Sequence, residues 1–174
     1  MVTEIPEQYS WLISERGPKI LLEAVKLYGT LEVVGDKDNP EILNWAKELG
    51  LPQYTHDSIP WCGLFVALVA SRAGKEVVKD PLWAANWLNF GSSCEGELGA
   101  VAVFSREGGN HVGIYVGEDS SHYHILGGNQ KDSVSIVRIS KSRCRGFRAQ
   151  YRSKPTNVRR VILSATGEVS TNEA

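Results

Sequence analysis

Apolar residues recur every third or fourth position through residue 91 and switch to every second position beyond residue 98. In "GPKILLEAVKLYG" (17–29), Ile20, Leu21, Ala24, Val25 and Tyr28 form an i, i+4 stripe closed by Gly29. "GDKDNPEILNWAKELG" (35–50) predicts a second helix, with Asn39 as N-cap, Pro40 at the first helical position and Glu41 beside the positive end of the dipole. A third helix is expected to begin near Trp61, capped by Asp57 or Ser58 and with Pro60 in its first turn. Leu64, Phe65, Leu68 and Val69 give its apolar face, and Gly74 its stop. A shorter helical segment is expected over "DPLWAANWLNFG" (80–91).

The second half reads as strands. "GAVAVFSR", "HVGIYVGE", "HYHILGGN", "SVSIVRI" and "GFRAQYR" are short, rich in β-branched or aromatic residues, and separated by Gly, Ser, Asp and Lys. The loop "EDSS" joins the second and third runs as an antiparallel hairpin. Helices first and a strand meander second predict an α+β domain over residues 1–153. The remainder, 154–174, is expected as a partly disordered extension, with one short strand at "VRRVILS" and a loose tail at "ATGEVSTNEA".

Composition narrows the possibilities mainly by exclusion. The formal net charge is −1, with 42% hydrophobic and 22% charged residues in 174. That balance gives no support for nucleic-acid binding. The basic run "RISKSRCRGFRAQYRSK" (138–154) reads as a solvated sheet edge or, alternatively, a face toward an anionic polymer. No apolar run approaches the roughly 20 residues of a membrane span, so membrane insertion is not expected. The first residues lack a secretory signal, which predicts synthesis in the cytoplasm and a dedicated release route for any work outside it. Cys62, Cys94 and Cys144 are an odd set without a CxxC pair, so neither a disulfide framework nor a metal knuckle is expected. Asp36, Asp38 and Glu41 do not fit a calcium loop, because Pro40 falls on a ligand position and no glycine follows it.

Cys62 changes the picture only in company. At a helix start, unpaired N–H groups and the dipole favour a thiolate. Alone, such a cysteine reads as an inert buried thiol. His111, opening the strand "HVGIYVG", supplies a proton acceptor, and alternation sets it with Gly113 and Tyr115 opposite Val112, Ile114 and Val116. A third group must fix the imidazole tautomer, and both Asn129 in "LGGNQ" and His124 in "HYHIL" are candidates on the next strand. His122 and His124 also form an HxH pair, but no third metal ligand has recognisable spacing. Trp83, Trp87 and Tyr54 are candidates to line a groove, with core packing the competing use.

"PWCGLFV", "NWLNFG", "GAVAVF", "HVGIYVGED" and "LGGNQKDSVSI", in this order, resemble phage-associated cell-wall hydrolases of the NlpC-like and CHAP (cysteine, histidine-dependent amidohydrolase/peptidase) group. The resemblance runs from about Gly17 to Arg152 and includes "GDKDNPEI". It implies a papain-like α+β core in which a nucleophile helix packs on an antiparallel sheet. It places the family's cysteine on Cys62, its histidine on His111 and its asparagine on Asn129, while the family's acid falls on Gly127. NlpC-type relatives carry a histidine on that strand, which keeps His124 as the alternative to the preferred Asn129. The implied activity is hydrolysis of a peptidoglycan amide, within the stem peptide or at the muramoyl–alanine junction, by a monomer without metal or organic cofactor. A non-catalytic or virion-structural module on the same fold is the competing reading, as is a secreted antibacterial amidase toxin.

Overall fold

In a computed structural model, residues 4–32, 38–54 and 60–173 are described; Asp36, Asp57 and Ser58 lie outside them. Local signals place the first two helices. α1 spans Lys19–Lys26 and buries Ile20, Leu21 and Ala24 of the expected stripe. α2 spans Pro40–Glu48, and the Asn39 side-chain oxygen accepts the Glu41 N–H at 2.8 Å, satisfying an amide that the helix itself leaves unpaired.

α3 spans Cys62–Arg72 and is buried continuously from Cys62 to Ala70. A helix that is apolar on every side must be covered on every side. Here α1 and α2 pack against it along with the sheet. The segment 80–91 contributes a 3₁₀ turn, Ala84–Asn89, rather than an α-helix, and a second 3₁₀ stretch, Glu7–Ser14, buries Tyr9 and Leu12.

The strands are β1 (Ser92–Cys94), β2 (Val101–Arg106), β3 (Gly109–Glu118), β4 (His122–Gln130), β5 (Ser133–Ser140) and β6 (Cys144–Ala149). They form one six-stranded antiparallel sheet in the order β1-β6-β2-β3-β4-β5. The fold is mixed α+β. The predicted β3–β4 hairpin closes through Asp119, whose Oδ1 accepts the N–H groups of Ser121 and His122 at 3.0 Å each. β4 and β5 join through Lys131 and Asp132, with φ of 52° and 57°, the left-handed pair that suits a two-residue hairpin turn.

Two apolar layers result. Val112, Ile114, Val116 and Leu126 join α3 in the larger core. Ala102, Phe104, Tyr115, Ile125, Val137 and Ile139 form a second cluster, as the alternation along the strands requires.

The expectation for residues 154–174 needs correction, because the chain through Glu173 is tied down. Asn157 Nδ2 donates to Glu15 Oε2 at 2.8 Å and to the Gly17 carbonyl at 2.6 Å. Val161 and Leu163 pack on the main core, and "VRRVILS" makes a single parallel bridge, Ile162 to Glu118, rather than a strand. Beyond it, Arg138 N–H donates to the Glu168 carbonyl at 2.7 Å and Ser170 N–H to the Arg138 carbonyl at 2.9 Å. Polar composition suggested a loose tail, but the open side of β5 offers partners for these backbone groups. At the opposite end of β5, Val134 N–H donates to Thr30 O at 2.8 Å and Gly29 N–H to Val134 O at 2.9 Å.

Candidate active site

The first turn of α3 is positioned by a close approach. A Cβ built on Gly63 would lie 2.2 Å from the Pro81 carbonyl oxygen, so only glycine lets the 80–91 segment rest against the helix start. Pro81 O is fixed in turn by the Trp87 indole N–H, at 2.9 Å. The first helix-closing bond is Phe65 N–H to Trp61 O at 3.0 Å, so the amides of Cys62, Gly63 and Leu64 precede the ladder. Cys62 is 4% exposed and opens on a cleft of about 420 Å³ lined by Leu82, Trp83, Ala84, Arg106, Gly109 and Asn110 among others.

His111 lies fully buried at the start of β3. Its Nε2 is 2.9 Å from Gln130 Oε1. The Gln130 amide cannot turn over, because its Nε2 donates to the carbonyls of Ile125 and Ser135 at 3.0 and 2.7 Å. An oxygen facing Nε2 requires the proton to sit there. In the neutral ring Nδ1 is then the basic nitrogen. Nδ1 is buried with no hydrogen-bond partner, and besides Gln130 the ring interacts with the Cys62 thiol. The tautomer is thus the one a thiol beside it can use.

The electrostatics favour charge separation in this pair. Burial acts to raise the Cys62 pKa, but the His111 ring, the Val112 backbone N–H and the Arg106 charge overcome it and hold the thiol below its ordinary range. Burial acts to lower the His111 pKa, and Cys62, Glu173 and Gln130 together leave it above its ordinary value. The other two thiols behave oppositely. Cys94 is pushed up to about 12 by burial and Glu97, and Cys144 is raised by burial. Of the three, Cys62 alone is shifted toward the thiolate.

Cys62 and His111 therefore come together, and Asn129 does not complete them. It sits at φ 58° with its side-chain amide 3.5 Å from the Glu173 carbonyl, while its neighbour Gln130 reaches His111. The reason is a bulge. The β4–β5 register shifts between Gly127 and Gln130, which moves the following side chain to the face that alternation would have denied it. A Cβ on Gly127 would lie 2.6 Å from Gln130 Oε1, so the missing side chain is where the glutamine folds back. "GGNQ" carries the signal, since glycines inside a strand pattern indicate such a bulge.

His124 belongs to a separate buried network. Its Nδ1 meets Tyr9 Oη at 2.6 Å and its Nε2 meets Asp119 Oδ2 at 2.9 Å, which also accepts Arg138 Nε at 2.8 Å. With both ring nitrogens engaged, His124 is available neither to His111 nor to a metal shared with His122. Of the aromatic candidates, Trp83 stands 74% exposed on the cleft. Trp87 is core, and Tyr54 lines a different hollow with Leu43 and Ala46. Arg106 and the Val112 amide were not singled out in the sequence, because a strand-end arginine and a backbone donor have no motif of their own.

No family model, curated protein or solved structure matches the chain.

Proposed function

We propose that this protein is a papain-like cysteine hydrolase that cleaves an amide of peptidoglycan, as an endopeptidase on the stem peptide or as an amidase at the muramoyl–alanine junction. The observation that carries the chemical part is the buried Cys62–His111–Gln130 arrangement, in which the thiol is lowered, the imidazole raised and the tautomer imposed. The substrate class rests on the ordered motifs from "PWCGLFV" to "LGGNQKDSVSI", which resemble wall hydrolases.

In this reading His111 Nδ1 takes the Cys62 proton, and the thiolate attacks the amide carbonyl carbon. The first amides of α3 lie beside the thiol and stabilise the tetrahedral oxyanion. The imidazolium gives its proton to the departing amine, leaving a thioester. Water, deprotonated by His111, then releases the acid and restores the thiol. Gln130 holds the ring through Nε2 throughout. Trp83 offers an exposed face for the sugar or peptide flanking the scissile bond. The wall is reached after release from the cell of synthesis, by a holin-dependent, virion-borne or secretion-system route.

Incubating purified protein with peptidoglycan is expected to release new amino termini, and mass spectrometry of the fragments identifies the bond. Cys62→Ala and His111→Ala should each abolish release. If both variants digest wall as well as the parent, the thiol mechanism is wrong.

A further inference from the structure

Two unlike segments line the cleft at Cys62. The stretch before β1 contributes the apolar Leu82, Trp83 and Ala84, and the β2–β3 turn contributes Arg106, Gly109 and Asn110. Arg106 is half-buried, and two carbonyls of the turn fix its guanidinium: Nε donates to Asn110 O at 3.1 Å and Nη1 to Glu107 O at 3.2 Å. Nη2 has no acceptor among the described residues, and no carboxylate among them pairs with this arginine. Arg138 and Arg143, by contrast, each hold a carboxylate. Gly109 leaves the free nitrogen uncovered. For a Cβ built there, the nearest atoms beyond its chain neighbours would be Arg106 Nη2 at 3.8 Å and Cζ at 4.0 Å, and the Gly109 backbone is not left-handed. Neither strain nor crowding demands glycine at this position. What the missing side chain supplies is open space beside the guanidinium.

Holding the turn uses Nε and Nη1 and leaves Nη2 idle. A guanidinium fixed in a cleft with N–H groups to spare suits a carboxylate, because bonds between ionised partners are about twice as strong as neutral ones. We propose that Arg106 is a specificity-determining residue that binds, through Nη2, a free carboxylate carried by the substrate beside the scissile amide, and discriminates against its amidated form. This rests on the hydrolase reading and names the stem peptides it accepts. In such a stem the γ-linked glutamate carries an α-carboxyl that is either ionised or converted to a neutral amide. The ionised group accepts from Nη2 with both oxygens available. The amide offers one weaker acceptor, and its NH2 would set a donor against a donor. Leu82, Trp83 and Ala84 give the same substrate an apolar surface for the methyl groups of neighbouring alanines. Arg145 Nη1 donates to Asn110 Oδ1 at 2.9 Å without lining the cleft, so it adds positive potential but no contact.

The test uses two N-acetylmuramoyl tetrapeptides that differ only at the α-carboxyl of the γ-linked glutamate, free in one and amidated in the other. The parent protein should cleave the free acid with a kcat/KM about 10- to 100-fold higher, the range for a hydrogen bond to a charged group. Arg106→Gln should bring the two rates to within about twofold of each other, as expected once a charged partner becomes neutral. The Arg106 charge also acts on the Cys62 thiol, and taking the ratio of two substrates cancels that effect. Arg145→Gln should keep the preference, since its charge lies outside the lining. Equal cleavage of both peptides by the parent overturns the inference without any variant, as does a preference that survives in R106Q or is lost in R145Q. Calorimetric binding to Cys62→Ala separates this from the hydrolase reading. Tighter binding of the free acid, in a parent that cleaves neither peptide, would refute the hydrolase and keep the anchor. Binding of neither peptide, or of both alike, overturns the anchor.

Discussion

Two adjacent residues with similar side chains do different work at positions 129 and 130. Gln130 is locked at both ends of its amide, by His111 on the oxygen and by Ile125 and Ser135 on the nitrogen. Gln130→Ala is expected to lower kcat by about 100-fold by releasing the ring from its productive tautomer. Asn129→Gly should leave activity near that of the parent, since glycine accepts the φ of 58° without strain. Parallel assays of the two variants check both statements. The thiol's own poise is testable without substrate. Iodoacetamide labelling mapped by mass spectrometry should reach Cys62 at lower pH than Cys94 or Cys144, because only Cys62 is lowered. The catalytic window follows from the same directions. The pair holds one proton between the two groups in its active form, so activity is expected to fall at both low and high pH, and a lowered thiol with a raised imidazole favours the thiolate–imidazolium form within that window.

At the scale of elements, the chain's period was readable and its interruptions were not. The α2 cap, the stripe of α1 and the alternation of β3 follow from side-chain pattern alone. The 3₁₀ geometry of Ala84–Asn89 reflects tertiary demand, since Pro81 must press its carbonyl against Gly63. β1 is only three residues long, too short to show a period, and exists because β6 offers it a partner. The β4 bulge decides which amide meets His111, and a one-residue change in parity is below what periodicity resolves. Cys62 and His111 were legible because each stands at an element's start; Gln130 was one residue away from being so. Gly63→Ala should destabilise the protein by at least about 2 kcal/mol, with a lower denaturation midpoint and an unchanged denaturant slope. The 2.2 Å approach involves backbone, which no rotamer change relieves.

Across the whole molecule, the network around Asp119 joins parts distant in sequence. Tyr9 from the first 3₁₀ stretch, His124 from β4 and Arg138 from β5 converge on it or on its histidine. Burial works to raise the Asp119 pKa, but Arg138, the turn amides and His124 hold it far below the usual carboxylate range. Glu118 is likewise brought down to about 2, against burial, by Arg160, Lys141 and Tyr115. Carboxylates depressed by folding stabilise the native state fully above their ordinary pKa near 4 and lose that contribution as pH falls toward the folded values. Thermal melts should therefore drop steeply below about pH 4. Asp119→Ala should flatten that dependence while costing about 3 kcal/mol near neutrality, because Arg138 is left buried without its anion. Such long-range convergence is invisible in a single sequence, where Asp119 reads only as a turn residue.

The outer side of β5 is occupied at both ends, by residues 29–32 and by residues 168–170. A sheet edge left open is a template on which another chain can continue the ladder. With Arg138 and Val134 already engaged, a second molecule finds no run of free donors and acceptors to copy along this strand. The backbone bonds that hold residues 168–170 to Arg138 are therefore expected to oppose fibre growth, and Ser170→Pro, which removes one of them, should show a shortened lag before thioflavin-positive aggregates form.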